Sequence, residues 1–285
     1  MKVCIQMTMA ILAAACWISP ANAAIIVSDN FEYADQAAFE AVWPAIAVGP
    51  PASAELSTAQ ASSPTKSIRI PGTTAGSPSR NRLTFAESGA IAVGNTLVWS
   101  FDFYDSTPTG SPARNYSNLQ DTTGPSGTNQ LVAMGFNNNQ SGANSGGQFY
   151  MARILGYSPP VLDPDGGPDE GGTLGSGAFF KLNDFGVGQR TLGWNNLKVV
   201  MSTNDGLSTD YEFYVNNLLA ERVSNIGTAA SLRSFDNIAL GSGLSNANTE
   251  AFFDNMRLET VPEPAMLVLV GLIGVAMCGS RRRFA

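Results

Sequence analysis

Carboxylates are the reactive groups this 285-residue chain has most of, with 23 Asp+Glu against 16 Lys+Arg and no histidine. The densest cluster is "LDPDGGPDEGG", residues 162–172, which carries Asp163, Asp165, Asp169 and Glu170. Pro168 interrupts the run, and it has neither an Asp-x-Asp-x-Asp-Gly start nor a distal glutamate. It therefore reads as a mobile acidic loop, with loose cation binding as its remaining chemistry. Glu87, Glu212, Glu221, Glu250 and Glu259 stand singly, and each reads as a solvated face residue rather than a catalyst. Without histidine there are no imidazole ligands, no His general base and no Ser-His or Cys-His pair. The three cysteines, Cys4, Cys16 and Cys278, lie in the terminal hydrophobic segments, so the body has no disulfide and no thiolate zinc site.

The charge balance narrows the partners. Lys2, Arg281, Arg282 and Arg283 sit at the ends, and the rest of the chain carries a net of about −11. A body this acidic repels phosphate backbones, which excludes nucleic acid as a partner. A polyanionic sugar could bind only through a cation or a local basic patch. Apolar residues make up 44% of the chain, enough to build a sizeable core.

The elements that must position any site are strands. "TLVWSFDFYD" puts Leu97, Trp99, Phe101 and Phe103 on one face and Val98, Ser100, Asp102 and Tyr104 on the other, the alternation of a half-buried strand. Weaker versions occur in "KSIRI", "NRLTF", "NQLVAMGF", "QFYMARIL", "NNLKVVM", "TDYEFYVN", "LLAERV", "FDNIALG" and "EAFFDNMRLE". Only "ADQAAFEAVW", 34–43, reads as a short helix, with Asp35 as cap and Phe39, Val42 and Trp43 at helical spacing. The polar stretches "DSTPTGSPARNYSNLQDTTGPSGTNQ" and "NNNQSGANSGGQ" read as loops. With no internal repeat, the pattern predicts an all-β antiparallel sandwich or barrel over 24–260. The aromatic stripes, Trp99–Phe101–Phe103 and Tyr211–Phe213, would stack on sugars if they faced outward, but at strand spacing they read as core.

Both ends read as addresses. The first 23 residues have a basic Lys2, an apolar stretch from Met7 to Ile18, and the small-x-small box Ala21-Asn22-Ala23. That is a secretory signal peptide, cut after Ala23 by signal peptidase. Lipoprotein processing at Cys16 competes weakly, because Ala13 stands where that box prefers leucine. At the other end, Ala265–Cys278 would span about 21 Å as a helix against a hydrocarbon core of about 30 Å. Pro262 and Pro264 mark its start, and Arg281, Arg282 and Arg283 can snorkel to the cytoplasmic headgroups. The reading is a single transmembrane helix over about 265–280 with an Arg-rich tail at 281–283 and the body outside.

Pro262-Glu263-Pro264, a short apolar helix and a terminal arginine cluster together resemble the PEP-CTERM sorting signal of exopolysaccharide-producing Gram-negative bacteria. The likeness covers 261–285. It implies export across the inner membrane, a single-pass precursor recognised by a membrane-embedded exosortase, and then release or transfer to the cell surface. A permanent tail anchor is the competing reading.

The body carries a softer resemblance. "SDNFEYADQAAFEAVW" looks like the opening of jelly-roll domains of the concanavalin A-like lectin/glucanase superfamily, and "WNNLKVVMS", "YEFYVNN", "NIALGSG" and "FFDNMRLE" are similar to the final strands of its laminin-G-like members. A galactose-binding-like jelly roll is the next choice. The glucanase branch implies two glutamates framing an aspartate on one strand, and no Glu-x-Asp-x-x-Glu occurs here. The sugar-binding branch implies a structural calcium tying the first strand to the last, for which Asp29 and Asp254 are placed. The plainer alternative makes Asp29 a turn cap and Asp254 an exposed strand residue. The expectation is a non-catalytic structural or carbohydrate-binding module associated with exopolysaccharide, with a matrix hydrolase or lyase as the alternative.

Overall fold

The computed structural model describes residues 23–47, 54–72, 80–108, 114–122, 130–137, 148–155, 161–162, 173–174, 179–225, 234–241 and 249–262. Glu263, Pro264, Arg281, Arg282 and Arg283, expected to belong to a sorting signal, the apolar run before those arginines, Ala21 of the expected cleavage box and the acidic cluster at 163–170 lie outside them. Among the described residues no helix is long and apolar enough to cross a membrane.

Two antiparallel sheets face each other. The first runs β11 (Thr173–Leu174), β10 (Val161–Leu162), β15 (Leu218–Asn225), β14 (Thr209–Val215), β13 (Gly193–Ser202), β6 (Asn95–Asp105), β17 (Ala251–Pro262), β4 (Ser67–Ile70) and β3 (Glu55–Ser57), with β1 (Ala24–Asp29) also paired to β17. The second runs β12 (Phe179–Lys181), β9 (Met151–Leu155), β8 (Gln130–Asn137), β7 (Arg114–Asp121), β16 (Asn237–Leu240), β5 (Arg80–Thr84) and β2 (Ala45–Ala47). The only helices described are α1 (Gln36–Val42) and a 3-10 turn, η1 (Asp184–Gly186).

Side-chain alternation assigns the faces. On β6, Leu97, Trp99, Phe101 and Phe103 are buried between the sheets, so this stripe is core. Phe103 packs edge-on against Phe136 of β8 at 5.5 Å, and Phe213 meets Phe180 of β12 at 5.5 Å, which carries the core across both layers. Tyr211 and Phe213 are also buried. The β14–β15 hairpin closes through Asn216 and Asn217 at φ 51° and 64°, the left-handed pair that a two-residue turn between twisted strands requires. Helix α1 forms as expected: the Asp35 carboxylate accepts from the Ala38 N–H at 2.9 Å, and Phe39 and Trp43 are buried. Val42 points to solvent instead, 40% exposed.

One expectation fails. "RNYSNLQD", within the stretch that reads as loop, is β7, an eight-residue strand in the middle of the second sheet with every residue buried. Its pairing with β8 runs from Arg114↔Asn137 to Asp121↔Gln130. Polar residues occupy both of its faces, so it lacks the apolar alternation by which strands are recognised. The other polar stretch, 137–148, lies outside the described residues except at its ends.

Candidate functional site

The face of the second sheet turned away from the core is built around β7. Along that strand Arg114, Tyr116, Asn118 and Gln120 share this face while Leu119 packs inward. Register places Asn118 opposite Ala133 of β8, which is opposite Arg153 of β9, which is opposite Phe179 of β12. In the other direction Asn118 meets Ala239 of β16 and then Arg82 of β5. Arg80 and Lys181 share the outer faces of their strands with Arg82 and Phe179. An acidic chain thus gathers Arg80, Arg82, Arg114, Arg153 and Lys181 on one sheet face.

Tyr116 is its centre. Arg114 Nη2 donates to the Tyr116 hydroxyl at 2.8 Å. The Tyr116 ring packs against Phe179 at 5.7 Å, and the Arg153 guanidinium lies 5.0 Å from the centre of the Phe179 ring. Tyr116, Leu131, Ala133, Met151 and Phe179 form a small apolar cluster separate from the main core. Gly135, at φ 154°, lies directly beneath the tyrosine. A Cβ there would stand 2.5 Å from the Tyr116 Cα and closer still to the Asn115 carbonyl oxygen, so only glycine lets the two strands approach.

Among the described residues, three of the arginines on this face have no carboxylate partner. Burial pushes the Arg80 guanidinium below the ordinary arginine range; Arg82 beside it pushes the same way and Tyr116 opposes. Arg153 is lowered chiefly by burial, with Tyr116 opposing and Arg114 adding to the lowering. Elsewhere arginines are matched: Arg69 with Glu55 and Glu250 at 2.8 and 2.6 Å, Arg190 with Asp105 at 3.2 Å, Arg222 with Glu212 at 3.0 Å, and Arg257 with Glu259 at 2.7 Å. Arg80, Arg82 and Arg114 make no ion pair with a described residue. The buried Nε atoms of all three, Gln120 Oε1 and Asn237 Oδ1 also lack hydrogen-bond partners. Arg114, Gln120 and Asn237 are 3%, 4% and 1% exposed, where an unmade hydrogen bond is costly. An anion with oxygen acceptors and hydroxyl donors could engage these atoms.

The residues singled out from sequence lie elsewhere. Asp29 Oδ1 accepts from the Phe31 N–H at 2.7 Å, and its Oδ2 from the Tyr33 hydroxyl and, at 2.8 Å, the Trp43 indole N–H. It caps a turn and also ties α1 to β1. Asp254 is fully buried rather than an exposed strand residue. It accepts from the Ser62 and Ser63 N–H groups at 2.9 and 2.7 Å, the Ser63 hydroxyl at 2.8 Å and the Asn255 N–H at 2.8 Å. Protein donors thus engage both carboxylates, and no group of three or more acidic, Cys or His side chains placed to hold a metal occurs among the described residues. As described, these residues do not fit a calcium site. Of the single glutamates, Glu212, Glu250 and Glu259 pair with arginines, Glu87 accepts from Ser234, and Glu221 is buried rather than solvated. Ala23 is exposed just before β1, and Pro262 is the last residue of β17, opposite Asn95.

No known protein family's profile matches the chain, and no curated protein sequence matches it. Solved structures do. The conserved carbohydrate esterase of the Shiga toxin-encoding bacteriophage phi24B aligns at 12% identity and TM-score 0.51, covering 84% of this chain and 99% of that one. Alginate lyase Aly36B aligns at 11% identity and 0.49, covering 87% and 100%. The endo-1,3-beta-glucanase of Streptomyces sioyaensis aligns at 12% and 0.49, covering 86% and 98%. At such identities the likeness is one of fold, an antiparallel β-sandwich of two sheets.

Proposed function

We propose that the chain is an exported surface or matrix protein whose sandwich binds an acidic polysaccharide across the outer face of the second sheet. The observation that carries this is the set of half-buried Arg80 and Arg82 and buried Arg114, which form no ion pair with a described residue and whose Nε atoms are buried without a partner, beside the unpartnered Gln120 Oε1 and Asn237 Oδ1. A uronate supplies what they lack: a carboxylate for the cations and hydroxyls for the amide oxygens. The basic patch that so acidic a chain would need for a polyanion is present. The signal peptide, the Pro262-Glu263-Pro264 triplet, the apolar run and the terminal arginines support delivery by signal peptidase and exosortase to the outside of a Gram-negative cell. The fold shared with a carbohydrate esterase agrees with a saccharide ligand.

The test is affinity electrophoresis in polygalacturonate, with a neutral dextran gel as control and increasing salt. Retardation that salt weakens, and that Arg80→Ala with Arg114→Ala abolishes in a protein of unchanged circular dichroism, is the expected result. Equal retardation of the doubly substituted protein would remove the assignment.

A second reading, eliminative cleavage of the bound uronan, is favoured by the Arg114–Tyr116 contact alone. Glycoside hydrolysis by the usual route needs two carboxyl groups, and the described carboxylate beside this face, Asp236, accepts from Asn237 Nδ2 and the Thr122 hydroxyl, both at 2.5 Å. Elimination needs none. Cations neutralise the uronate carboxylate and so acidify the neighbouring C–H. A tyrosinate takes that proton, the electron pair forms the C=C bond as the glycosidic C–O bond breaks, and the departing oxygen recovers the proton. In this reading Tyr116, whose hydroxyl accepts from Arg114, is the group assigned to both transfers.

A further inference from the structure

We propose a second, separate carbohydrate surface on the outer face of the first sheet, fitted to uncharged sugar rings. Phe252 of β17, Tyr104 of β6 and Trp194 of β13 stand directly opposite one another across three adjacent strands. Tyr104 meets Phe252 at 5.7 Å and Trp194 at 5.4 Å, edge-on in both cases. Phe252 is buried as the footing of the row, and Tyr104 and Trp194 are half-exposed.

The polar ends of this row are idle. Trp43 and Trp99 direct their indole N–H groups to Asp29 and to the Met256 sulfur, and the Tyr33 and Tyr214 hydroxyls donate to Asp29 and Glu212. The Tyr104 hydroxyl and the Trp194 indole N–H make no hydrogen bond to a described residue. Amphipathic rings with an open face and an unused polar tip suit a ligand that is apolar on one side and hydroxylated on the other.

The next pair along the same strands is Asp102 and Asn196. Asn196 Nδ2 donates to Asp102 Oδ1 at 2.9 Å, and Ser62 Oγ and Asn255 Nδ2 hold the other oxygen at 2.7 and 2.8 Å. This fixed, half-exposed carboxylate can accept from sugar hydroxyls, and its charge repels a polyanion. Cations on the face are already engaged: Lys198 lies 4.5 Å from the Tyr214 ring centre, and Arg69, Arg222 and Arg257 are paired with glutamates. Three strands span about 10 Å, enough for one or two sugar rings and well short of a stable protein interface. The occupant is therefore a neutral glycan. Together the two sheets could hold two kinds of polymer at once, with the gain that bivalency confers.

Affinity electrophoresis of the full mature protein in mixed-linkage β-glucan, hydroxyethylcellulose and polygalacturonate tests this. The wild type should be retarded in at least one neutral gel. Trp194→Ala with Tyr104→Ala should weaken that retardation about tenfold or more while leaving polygalacturonate retardation intact. Arg80→Ala with Arg114→Ala should do the reverse, so failure of the basic face and failure of the aromatic row are told apart. Trp194→Phe with Tyr104→Phe keeps the packing and should lose only part of the affinity, which controls for folding. A wild type that neither neutral gel retards, an alanine pair that is still retarded, or loss of both activities in either pair overturns the proposal.

Discussion

At Tyr116 two uses of one side chain separate cleanly. If the face only binds, Tyr116→Phe leaves polygalacturonate affinity within about threefold, since the removed hydroxyl is one contact among several. If it cleaves, the same variant should leave binding in place and abolish the ultraviolet absorbance of unsaturated uronate ends. Asp205 gives a residue-scale prediction about stability. Its carboxylate accepts from the Ser208 N–H at 2.7 Å, the Leu207 N–H at 2.8 Å and the Ser208 hydroxyl at 2.8 Å, and these bonds hold its pKa down at about 2. A depressed carboxylate stabilises the fold above its ordinary pKa of 3.8, and the contribution is lost as pH falls toward 2. Asp205→Asn should therefore have a lower Tm than wild type at pH 7, and the two melting curves should converge near pH 2. For Asp29 and Asp254, satisfied by protein donors, chelation with EDTA should leave the Tm unchanged; a Tm that falls with EDTA and returns with calcium would reinstate the ion implied by the jelly-roll resemblance.

Among the elements, β6, β13, β14 and β17 were legible because each carries one apolar and one polar face, and α1 because Asp35 and the Phe39/Trp43 spacing mark it. β7 was not, for a physical reason. Its outward residues Arg114, Asn118 and Gln120 are polar, and Asn115 and Ser117 point inward to hydrogen-bond with the Thr249 and Ala239 carbonyls, so neither face looks hydrophobic. The arginines of the site come from strands far apart in sequence, and only the pairing of β5, β7 and β9 through β16 and β8 assembles them. The outward aromatics were missed similarly: Tyr104 and Trp194 meet across a strand pair with no sequence spacing to advertise it, whereas the aromatics at period two are core. The close β7–β8 contact supplies the prediction at this scale. Gly135→Ala forces the strands apart beneath Tyr116 and should cost about 1–3 kcal/mol of stability by denaturant unfolding, with polygalacturonate binding weakened in the protein that remains folded.

For the molecule as a whole, the two ends of the body leave it together, which bears on the proposed export and sorting. Ala24 pairs with Thr260, so the residue after the proposed signal cleavage box and the residues before the proposed sorting triplet leave from neighbouring strands. Val261 and Pro262 are still paired with Thr96 and Asn95, and the Thr96 hydroxyl donates to the Val261 carbonyl at 3.1 Å. The proposed recognition triplet thus begins on the last residue of a central strand. Only Glu263 and Pro264 separate that strand from the apolar run, a reach of about 7 Å when extended. If the proposed transpeptidase works there, it meets a folded body close to the apolar run, and processing should be sensitive to fraying of the end of β17. Deleting Pro262-Glu263-Pro264 should leave the product in the inner-membrane fraction with its tail attached. The wild type should appear in the surface or medium fraction with a mass lacking both the first 23 residues and the tail. Thr96→Val, which removes the hydroxyl clasp on Val261 while keeping side-chain volume, should hasten conversion of precursor to product in a pulse-chase. An intact tail on the exported wild type would instead make the apolar run a permanent anchor.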